Sequence, residues 1–260
     1  MPKELVALAP RSPILRDYED GPVPEGHVRV KVEFGAPKRG TEMTGYYGLR
    51  GTEFPMGLGN MCVGRIIETG RSVEGFSVGD RVAGHGHLRE THTWDATKLL
   101  RMNERMTWKE AVCYDPAQFA LAAIRDGKVR LGDRVAVFGL GAIGLMSAQM
   151  ANAAGASLVV TLDPIETRRS IAIKIGADID LDPTAVDVGF ELKKATDTLG
   201  IDVAIDTSAS YMALDQAIHG LAFGGNIVIA GWAEECKGGL DFGAVAHFQV
   251  PNLIFARANS

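Results

Sequence analysis

The sequence predicts an α/β protein with two domains, a β-rich domain over residues 1–116 and a doubly wound parallel sheet over residues 117–260. Three observations support this organisation. Period-two apolar runs separated by Gly- and Pro-rich stretches fill the first part, whereas strand and helix patterns alternate in the second. The second part also contains a glycine motif between a predicted strand and a predicted helix.

The first domain is predicted to contain two clear strands and one hairpin. Val28–Val32 alternates apolar and polar residues, and Val63–Glu68 is a second apolar run. Val73–Val82 carries the turn residues of a hairpin that leads into a strand. Thr107 and Glu110 have the S/T-x-x-E spacing of a capping box, which predicts a helix start. Stretches rich in Gly or Pro are predicted to be loops, at residues 35–40, 45–48 and 57–60.

The second domain is predicted to have six strands and five helices. The predicted strands are Arg134–Phe138, Leu158–Leu162, Ile179–Leu181, Asp202–Asp206, Asn226–Ala230 and Asn252–Ala256. The predicted helices are Gln118–Arg125, Ile143–Ala154, Ile165–Ile175, Val186–Thr198 and Tyr211–Leu221. Six strands complete a sheet of order 3-2-1-4-5-6, the Rossmann arrangement that binds dinucleotides.

The glycine motif G-x-G-x-x-G follows the first strand of this domain directly. Gly139 permits the tight turn, Gly141 lets a pyrophosphate approach bare backbone, and Gly144 lets the next helix pack close to the strand. The phosphates would bind the N–H groups and the positive dipole end of that helix. The motif residues predicted to contact the cofactor are Gly139, Gly141, Ala142, Ile143 and Gly144.

An acidic residue, Asp163, ends the second strand at about the spacing expected for an acid that binds the ribose hydroxyls. A carboxylate there accepts hydrogen bonds from both hydroxyls and repels a 2′-phosphate. The sequence therefore predicts NAD, with NADP less favoured. The alternative interpretation is that Asp163 caps the helix that begins after Pro164.

Composition excludes several classes of partner. The net charge of −5 gives no general attraction to nucleic acid or to an anionic membrane. There is no apolar run near the length of a membrane span and no leader-like N-terminus. Three cysteines lie far apart, at Cys62, Cys113 and Cys236, and form no C-x-x-C pair. A reduced cytoplasmic protein without disulfides is the prediction.

Local sequences resemble the medium-chain dehydrogenase/reductase family over nearly the whole chain. Residues 39–48, R-G-T-E-M-T-G-Y-Y-G, resemble the family's C-G-T-D-x-x-x-x-x-G loop, and residues 57–64 resemble its G-H-E-x-x-G segment. Residues 73–82 are similar to its G-x-x-V-G-D-R-V run. The resemblance implies a GroES-like catalytic domain before the Rossmann domain, a small-molecule substrate and a homodimer. Family members continue for several more segments, so the resemblance implies either a shortened form or a smaller catalytic domain.

Departures from the family pattern occur where its zinc-dependent branch has metal ligands. The positions of the Cys, the His and the third ligand hold Arg39, Asn60 and Asp115. Because Arg cannot ligate a cation and Asn is a poor zinc ligand, only one carboxylate remains. The four-cysteine structural zinc lobe is also missing. We therefore predict a member without zinc.

The residues on the substrate side are predicted from the same resemblance. If the fold brings Arg39 to Asp115, their ion pair would fill the metal's place and the guanidinium could polarise a carbonyl. The alternative is that Arg39 only fills the abandoned site or faces solvent. Thr41 matches the family's proton-passing hydroxyl residue, although it could equally stabilise its loop. Glu42, at the family's Asp position, is predicted to be structural.

Three histidines, His85, His87 and His92, fall close together in the sequence. The non-functional interpretation is that they are loop residues at the mouth of the cleft, because H-x-H around a glycine lacks the spacing of a helical metal site. The functional interpretation assigns one of them, His87 or His92, to general acid–base catalysis.

In the family, the ends of the fourth and fifth strands line the nicotinamide side of the cleft. The resemblance thus implies contacts from Thr207, Ser208 and Gly231, the last within the segment Ala230-Gly-Trp232. It also places Arg168 near the adenosine ribose, with a solvated helix charge as the alternative.

Together these predictions indicate a zinc-independent, NAD-linked oxidoreductase that acts on a secondary alcohol or ketone of a polyol, sugar derivative or related metabolite. One alternative is an NADPH-dependent quinone or enoyl reductase, which acts on C=C bonds and also lacks zinc. Asp163 and the Gly40-Thr-Glu42 loop argue against it. The other alternative is a dinucleotide-binding protein without catalytic activity.

Overall fold

The computed structural model describes residues 1–48, 51–231, 240, 243 and 245–258. The chain divides into two compact units, Met1–Asp115 and Pro116–Ser260. Trp232 and Cys236, both named above, lie outside the described residues. Across the described ranges, no helix combines the length and the apolar character needed to cross a bilayer.

Unit 1 is built from two antiparallel sheets. Its strands are β1 (Lys3–Ala7), β2 (Pro13–Asp17), β3 (His27–Ala36), β4 (Met56–Gly57), β5 (Met61–Thr69), β6 (Arg81–His85), β7 (Thr91–Asp95) and β8 (Leu100–Arg101). The larger sheet has the order β7-β3-β5-β6-β8 and the smaller one the order β2-β1-β4. The β-rich organisation predicted for this part of the chain is confirmed.

The larger sheet carries an apolar cluster on each face, as the pleat of a strand requires. Val28, Val30 and Ile66 belong to one cluster. Val63 and Ala83 belong to the other, together with residues from the helix that follows β8. In β3, Val28 and Val30 lie in the first cluster, whereas Arg29 is ion-paired with Asp20 and Lys31 is exposed, which explains the period-two pattern at Val28–Val32.

The described part of unit 1 contains two short α-helices, α1 (Arg39–Tyr46) and α2 (Trp108–Ala111). The capping box predicted for α2 is confirmed: the Thr107 hydroxyl accepts from the Glu110 N–H, and the Glu110 carboxylate accepts from the Thr107 N–H.

Helix α1 includes residues 39–40 and 45–46 of two predicted loops, and the loop prediction is wrong at these residues. Glycines at 40 and 45 lower the intrinsic preference for a helix. Tertiary contacts override it, because Glu42 accepts a hydrogen bond from the Gly59 N–H at 2.9 Å. Gly45 is buried, and a Cβ there would lie 2.5 Å from the Met56 side chain. The glycine that weakens the helical pattern is therefore what allows this helix to pack.

The described residues of unit 2 form a six-stranded parallel sheet. Its strands are β9 (Arg134–Phe138), β10 (Leu158–Leu162), β11 (Ile179–Leu181), β12 (Ile201–Asp206), β13 (Leu221–Ile229) and β14 (Asn252–Phe255). Their order, β11-β10-β9-β12-β13-β14, is the predicted 3-2-1-4-5-6 arrangement. The doubly wound fold is confirmed.

Helices connect these strands and cover both faces of the sheet. They are α3 (Tyr114–Asp126, which begins two residues before the unit boundary), α4 (Ala142–Ala153), α5 (Glu166–Lys174), α6 (Val188–Ala195), α7 (Tyr211–Gly220) and α8 (Val245–Gln249). One apolar cluster on the sheet includes Phe138 and Leu192, and another includes Val137 and Ala148. Helix α6 is shorter than predicted, because Asp187 caps its start and Asp197 and Thr198 have positive φ at its end.

Candidate active site

The glycine motif of unit 2 forms the predicted turn between β9 and α4. Gly139 has φ +84° and its N–H donates to the Leu162 carbonyl, so the chain turns sharply where β9 ends. A Cβ on Gly144 would lie 1.8 Å from the Gly139 carbonyl oxygen, so the helix approaches the turn to within backbone contact. A Cβ on Gly141 would meet nothing within 4 Å. The backbone at Gly141 therefore faces open space.

Helix α4 begins at this open space. Gly141 is its N-cap, with an extended backbone and no side-chain hydrogen bond to the cap. Within the described part of the chain, no side chain caps the first-turn N–H groups, which include those of Ala142 and Ile143. Uncovered N–H donors at the positive end of a twelve-residue helix favour an anion such as a pyrophosphate.

Asp163 is 3% exposed at the end of β10. Its carboxylate accepts hydrogen bonds from the N–H groups of Leu140 and Ile165, each at 2.8 Å. The contact with Leu140 connects the glycine turn to the end of β10. The contact with Ile165 supports the start of α5, which agrees with the alternative interpretation that Asp163 caps this helix. A carboxylate has about four acceptor sites, so these contacts leave capacity for ribose hydroxyls.

Arg168 forms an ion pair with Asp163. Its Nη1 lies 3.3 Å from Asp163 Oδ2, and its side chain is 37% exposed. The resemblance implies a position near the adenosine ribose, and the ion pair puts the guanidinium beside the acid expected to bind that ribose.

The hydroxyls after β12 brace the glycine turn. Thr207 Oγ1 donates to the carbonyl oxygens of Gly139 (2.7 Å) and Phe138 (3.2 Å). Ser208 Oγ donates to Asp206 Oδ1 at 2.6 Å, and burial raises the pKa of the Asp206 carboxyl. Gly231 donates its N–H to the Asp206 carbonyl. These residues meet at the carboxyl ends of adjacent parallel strands, where open α/β sheets bind ligands.

A dinucleotide fits this set of groups. The glycine turn supplies bare backbone, α4 supplies uncovered N–H donors, and Asp163 supplies a buried carboxylate beside them. The residues that would hold it are those predicted from the motif, Gly139 to Gly144 together with Asp163.

In unit 1, the expected pairing of Arg39 with Asp115 is wrong. Asp115 is 4% exposed, and its Oδ2 lies 2.8 Å from the Lys38 ammonium. Arg39 is exposed. The reason is local: Lys38 is the N-cap of α1 with an extended backbone (φ −97°, ψ 102°), while Arg39 is the first helical residue. The two side chains therefore leave the backbone in different directions.

This set of groups does not fit a zinc ion. A zinc site needs three or four thiolate, imidazole or carboxylate ligands. The only carboxylate of the three aligned positions is ion-paired with an ammonium. Cys62 is buried, which raises the pKa of its thiol to about 12, so this cysteine stays protonated. Among the residues that the structure describes, no group of three or more His, Cys, Asp or Glu could hold a metal ion.

Tyr114 precedes Asp115 in the sequence and contacts His85. The Tyr114 hydroxyl is 3.3 Å from His85 Nδ1, and the two rings meet edge to face. Burial, with smaller contributions from Asp115 and Cys62, raises the pKa of the Tyr114 phenol. Tyr114 and Lys38 are the residues of this cluster that the sequence analysis missed. An aromatic residue before Asp-Pro and a lysine beside an arginine give no distinctive signal.

His87 is held by β1. Its Nε2 lies 2.8 Å from Glu4 Oε2, and Glu4 also accepts a hydrogen bond from Arg16. The ring packs over Gly57, where a Cβ would lie 2.4 Å from His87 Cγ. The His87 side chain thus contacts Glu4 and Gly57 of the smaller sheet and, edge to face, the ring of His92 in the larger one. Its predicted catalytic role stays a prediction.

Thr41 and Glu42 lie in the first turn of α1. Thr41 is exposed, so its predicted proton-passing role is not excluded by burial and stays a prediction. Glu42 is half-buried, which raises the pKa of its carboxyl, and it accepts from the Gly59 N–H. This contact agrees with the structural role predicted for it.

The prediction that all three histidines lie in loops is wrong for His85, the last residue of β6, and for His92. His92 belongs to β7, is 6% exposed and stacks on Trp94 with 4.5 Å between ring centroids. Its Nε2 lies 2.9 Å from the His87 carbonyl. Burial lowers the pKa of His92 to about 4, so the ring is neutral near pH 7.

This buried histidine predicts that the protein loses stability in mild acid. The unfolded chain has an ordinary histidine pKa of about 6.5, so it binds a proton before the folded chain does. The contribution of neutral His92 to the free energy of unfolding is therefore fully present above about pH 6.5. It decreases by up to about 3 kcal/mol as the pH falls towards 4. In urea unfolding at pH 7 and pH 4.5, His92→Phe should show a smaller difference than wild type. The exposed His219→Gln is the control, and an unchanged pH difference in His92→Phe would contradict the assignment.

Two family models match the chain. Residues 24–123 match the family model described as alcohol dehydrogenase GroES-like domain, and residues 142–259 match the model described as zinc-binding dehydrogenase.

The chain is similar to several dehydrogenases, of which two relatives and one solved structure are described. The chain is 44% identical to D-guloside 3-dehydrogenase of Escherichia coli, over 99% of this chain and 81% of the relative. It is 30% identical to (R,R)-butanediol dehydrogenase of Bacillus subtilis, over 67% of this chain and 58% of the relative. The crystal structure of 2R,3R-butanediol dehydrogenase from Bacillus subtilis has the same fold, with a TM-score of 0.85 at 24% identity over 99% of this chain and 84% of that one.

Proposed function

The chain belongs to the medium-chain dehydrogenase/reductase family, and on this premise we propose that it oxidises a secondary hydroxyl of a sugar derivative or polyol, with NAD and without zinc. As a member of this family it is an oxidoreductase with a nicotinamide cofactor and a small-molecule substrate. The observation that carries the substrate class is the 44% identity to a D-guloside 3-dehydrogenase over 99% of the chain. A sugar glycoside is therefore the first substrate class to test.

The preference for NAD is supported by Asp163. This carboxylate is buried beside the glycine turn, where it would accept hydrogen bonds from ribose hydroxyls and repel a 2′-phosphate. The nicotinamide ring supplies the hydride acceptor when the cofactor is bound. The protein's contribution in unit 2 is to hold the pyrophosphate at Gly141 and the first turn of α4.

The absence of zinc from the mechanism is supported by the chemistry of the groups in unit 1. Lys38 neutralises Asp115, and the other two aligned positions hold Arg39 and Asn60, which are not zinc ligands. A cation added to this set would face the Lys38 ammonium rather than a negative cage.

The test combines three measurements on the purified protein. NADH and NADPH are titrated calorimetrically, the metal content is measured, and NADH formation is followed with methyl glycosides of gulose and other hexoses, sorbitol and butanediol. We expect tighter binding of NADH than of NADPH, substoichiometric zinc, and turnover of a glycoside or polyol that a chelator does not reduce.

Two results would contradict the proposed function. Stoichiometric zinc whose removal abolishes turnover would refute the zinc-free mechanism. Enone reduction with NADPH, without alcohol oxidation, would instead favour the C=C reductase. The homodimer and the cytoplasmic location stay predictions of the sequence.

A further inference from the structure

We propose that a groove at the amino ends of the parallel strands of unit 2 binds a small anion that carries hydroxyl groups, as a sugar phosphate does. The groove has a volume of about 690 Å³, which is within the usual range of small-molecule sites. The residues that line it all belong to unit 2. The five residues of β9 separate this edge of the sheet from the glycine turn by about 16 Å. The groove is therefore a second site, and the inference does not depend on the proposed function.

Two cations on the loop between α3 and β9, Lys128 and Arg130, line the groove. Both are exposed, and neither side chain forms an ion pair with a residue that the structure describes. The lining also contains two carboxylates. Asp202 is bound by Arg134, which donates from Nη2 at 2.7 Å and from Nε at 2.8 Å, and Asp133 accepts the Arg130 backbone N–H at 2.8 Å. The charges of Lys128 and Arg130 thus exceed the one carboxylate that no guanidinium binds.

Further positive charge lies next to this lining. Lys193 Nζ donates to the Leu221 carbonyl at 2.7 Å. Burial, and then repulsion by the Arg134 guanidinium, lowers the pKa of Lys193. Arg134 Nη1 is buried and has no hydrogen-bond partner among the residues that the structure describes. Although the whole chain has a net charge of −5, this edge of the sheet therefore has a local excess of positive charge, which attracts an anion.

The backbone conformation of Lys128 points to a function of its charge. The Val129 N–H donates to the Ile124 carbonyl and the Lys128 N–H donates to the Arg125 carbonyl, each at 3.1 Å, so α3 ends in a Schellman motif. The residue at the position of Lys128 in this motif is usually glycine, because its φ is positive. Lys128 has φ +57°, which strains a residue with a Cβ. The chain thus places a charged side chain where glycine would be less strained.

The lining also offers acceptors for hydroxyl groups, from Asn226 and Asn252. The Asn226 amide donates to the Gly127 carbonyl at 3.0 Å, and the Asn252 amide donates to the Gly224 carbonyl at 2.9 Å. Because a carbonyl only accepts, each amide nitrogen must face its carbonyl, and each amide oxygen is left as an acceptor. No group in the described part of the chain donates to either oxygen. Cations for an anion and acceptors for hydroxyls therefore line one groove.

The first experiment is a calorimetric titration of the full-length protein with glucose 6-phosphate, inorganic phosphate and glucose. NADH is present at saturation, so that the start of α4 is occupied and does not bind the added anions. We expect glucose 6-phosphate to bind more tightly than phosphate, and glucose not to bind at the groove. Absence of binding by both anions would overturn the proposal. Equal affinity for phosphate and glucose 6-phosphate would overturn the role assigned to the hydroxyl groups.

Two variants assign the binding to the groove. Lys128→Gly and Arg130→Gln should each weaken glucose 6-phosphate binding by about tenfold, because each removes a charge-assisted hydrogen bond. The matched control is Lys174→Ala, which removes an exposed lysine in the last turn of α5, outside the groove lining. It should leave the affinity unchanged. Wild-type affinity in the double variant of Lys128 and Arg130 would overturn the proposal.

The melting temperature of Lys128→Gly separates ligand binding from a role in the helix end. A lysine near the last turn of α3 also interacts favourably with the helix dipole, which would be a purely structural reason for its charge. Because φ +57° suits glycine, we expect Lys128→Gly to melt at or above the wild-type temperature without ligand, while it loses affinity for glucose 6-phosphate. A lower melting temperature together with wild-type affinity would show that Lys128 serves only the helix, and would overturn the proposal.

Discussion

Replacing Gly141 by alanine should weaken NADH binding by about 100-fold and leave the melting temperature of the cofactor-free protein within about 2 °C of wild type. The backbone there has φ −73°, which alanine adopts, and the added Cβ meets no atom within 4 Å. Folding is therefore unaffected. The same Cβ would occupy the space through which a pyrophosphate approaches the start of α4, and losing charge-assisted hydrogen bonds of about 1.5–3 kcal/mol explains the weaker binding.

Gly144→Ala is the matched comparison, since it adds the same single carbon three residues later. Its Cβ would lie 1.8 Å from the Gly139 carbonyl and 2.9 Å from Thr207 Oγ1. The helix must move away from the strand, at a cost of about 3 kcal/mol or more that the better helix propensity of alanine does not offset. Urea unfolding and NADH calorimetry on both variants check this. Wild-type NADH affinity in Gly141→Ala would mean that the phosphates do not bind at this turn.

The parallel sheet of unit 2 could be predicted from the sequence almost residue by residue. Its strands are buried on both faces, so they are continuous apolar runs bounded by turns, as in Leu158–Leu162. Unit 1 was harder to predict. Strand β2 is exposed along its whole length and has no alternating apolar pattern, and α1 depends on the tertiary contacts of Gly45 and Glu42. Local sequence does not carry that information.

Some residues of the candidate site could likewise be predicted from the sequence, and others could not. The glycine turn follows from backbone geometry that few other sequences permit, so its residues could be predicted from spacing. The choice between Lys38 and Arg39 as the partner of Asp115 depends on the residue at which α1 begins. Helix boundaries are uncertain by one or two residues in any pattern-based prediction, and a shift of one residue exchanges the two side chains.

Asp163→Asn should lower the affinity for NADH by about 100-fold. It should also reduce the ratio of NADH affinity to NADPH affinity more than Gly141→Ala or Gly144→Ala does. The wild-type carboxylate has two tasks. It accepts from the Leu140 and Ile165 N–H groups, each at 2.8 Å, and its charge would bind the ribose hydroxyls. An amide keeps only one acceptor atom and no charge, so the turn loses a contact and the 2′-phosphate of NADPH is no longer repelled. Arg168, freed from its ion pair at 3.3 Å, would then favour that phosphate.

The ratio of the two affinities separates these tasks, because NADH and NADPH depend equally on an intact glycine turn. Damage to the turn weakens both cofactors alike, whereas loss of ribose recognition weakens NADH alone. Asp187→Asn is the matched control: that carboxylate also accepts a backbone N–H, from Phe190 at 3.0 Å, at the start of α6 and away from the glycine turn. It should change stability slightly and the ratio not at all. If Asp163→Asn lowered both affinities equally in calorimetry, the acid would serve only to brace Leu140 and Ile165. The helix-capping interpretation would then replace the one that assigns NAD.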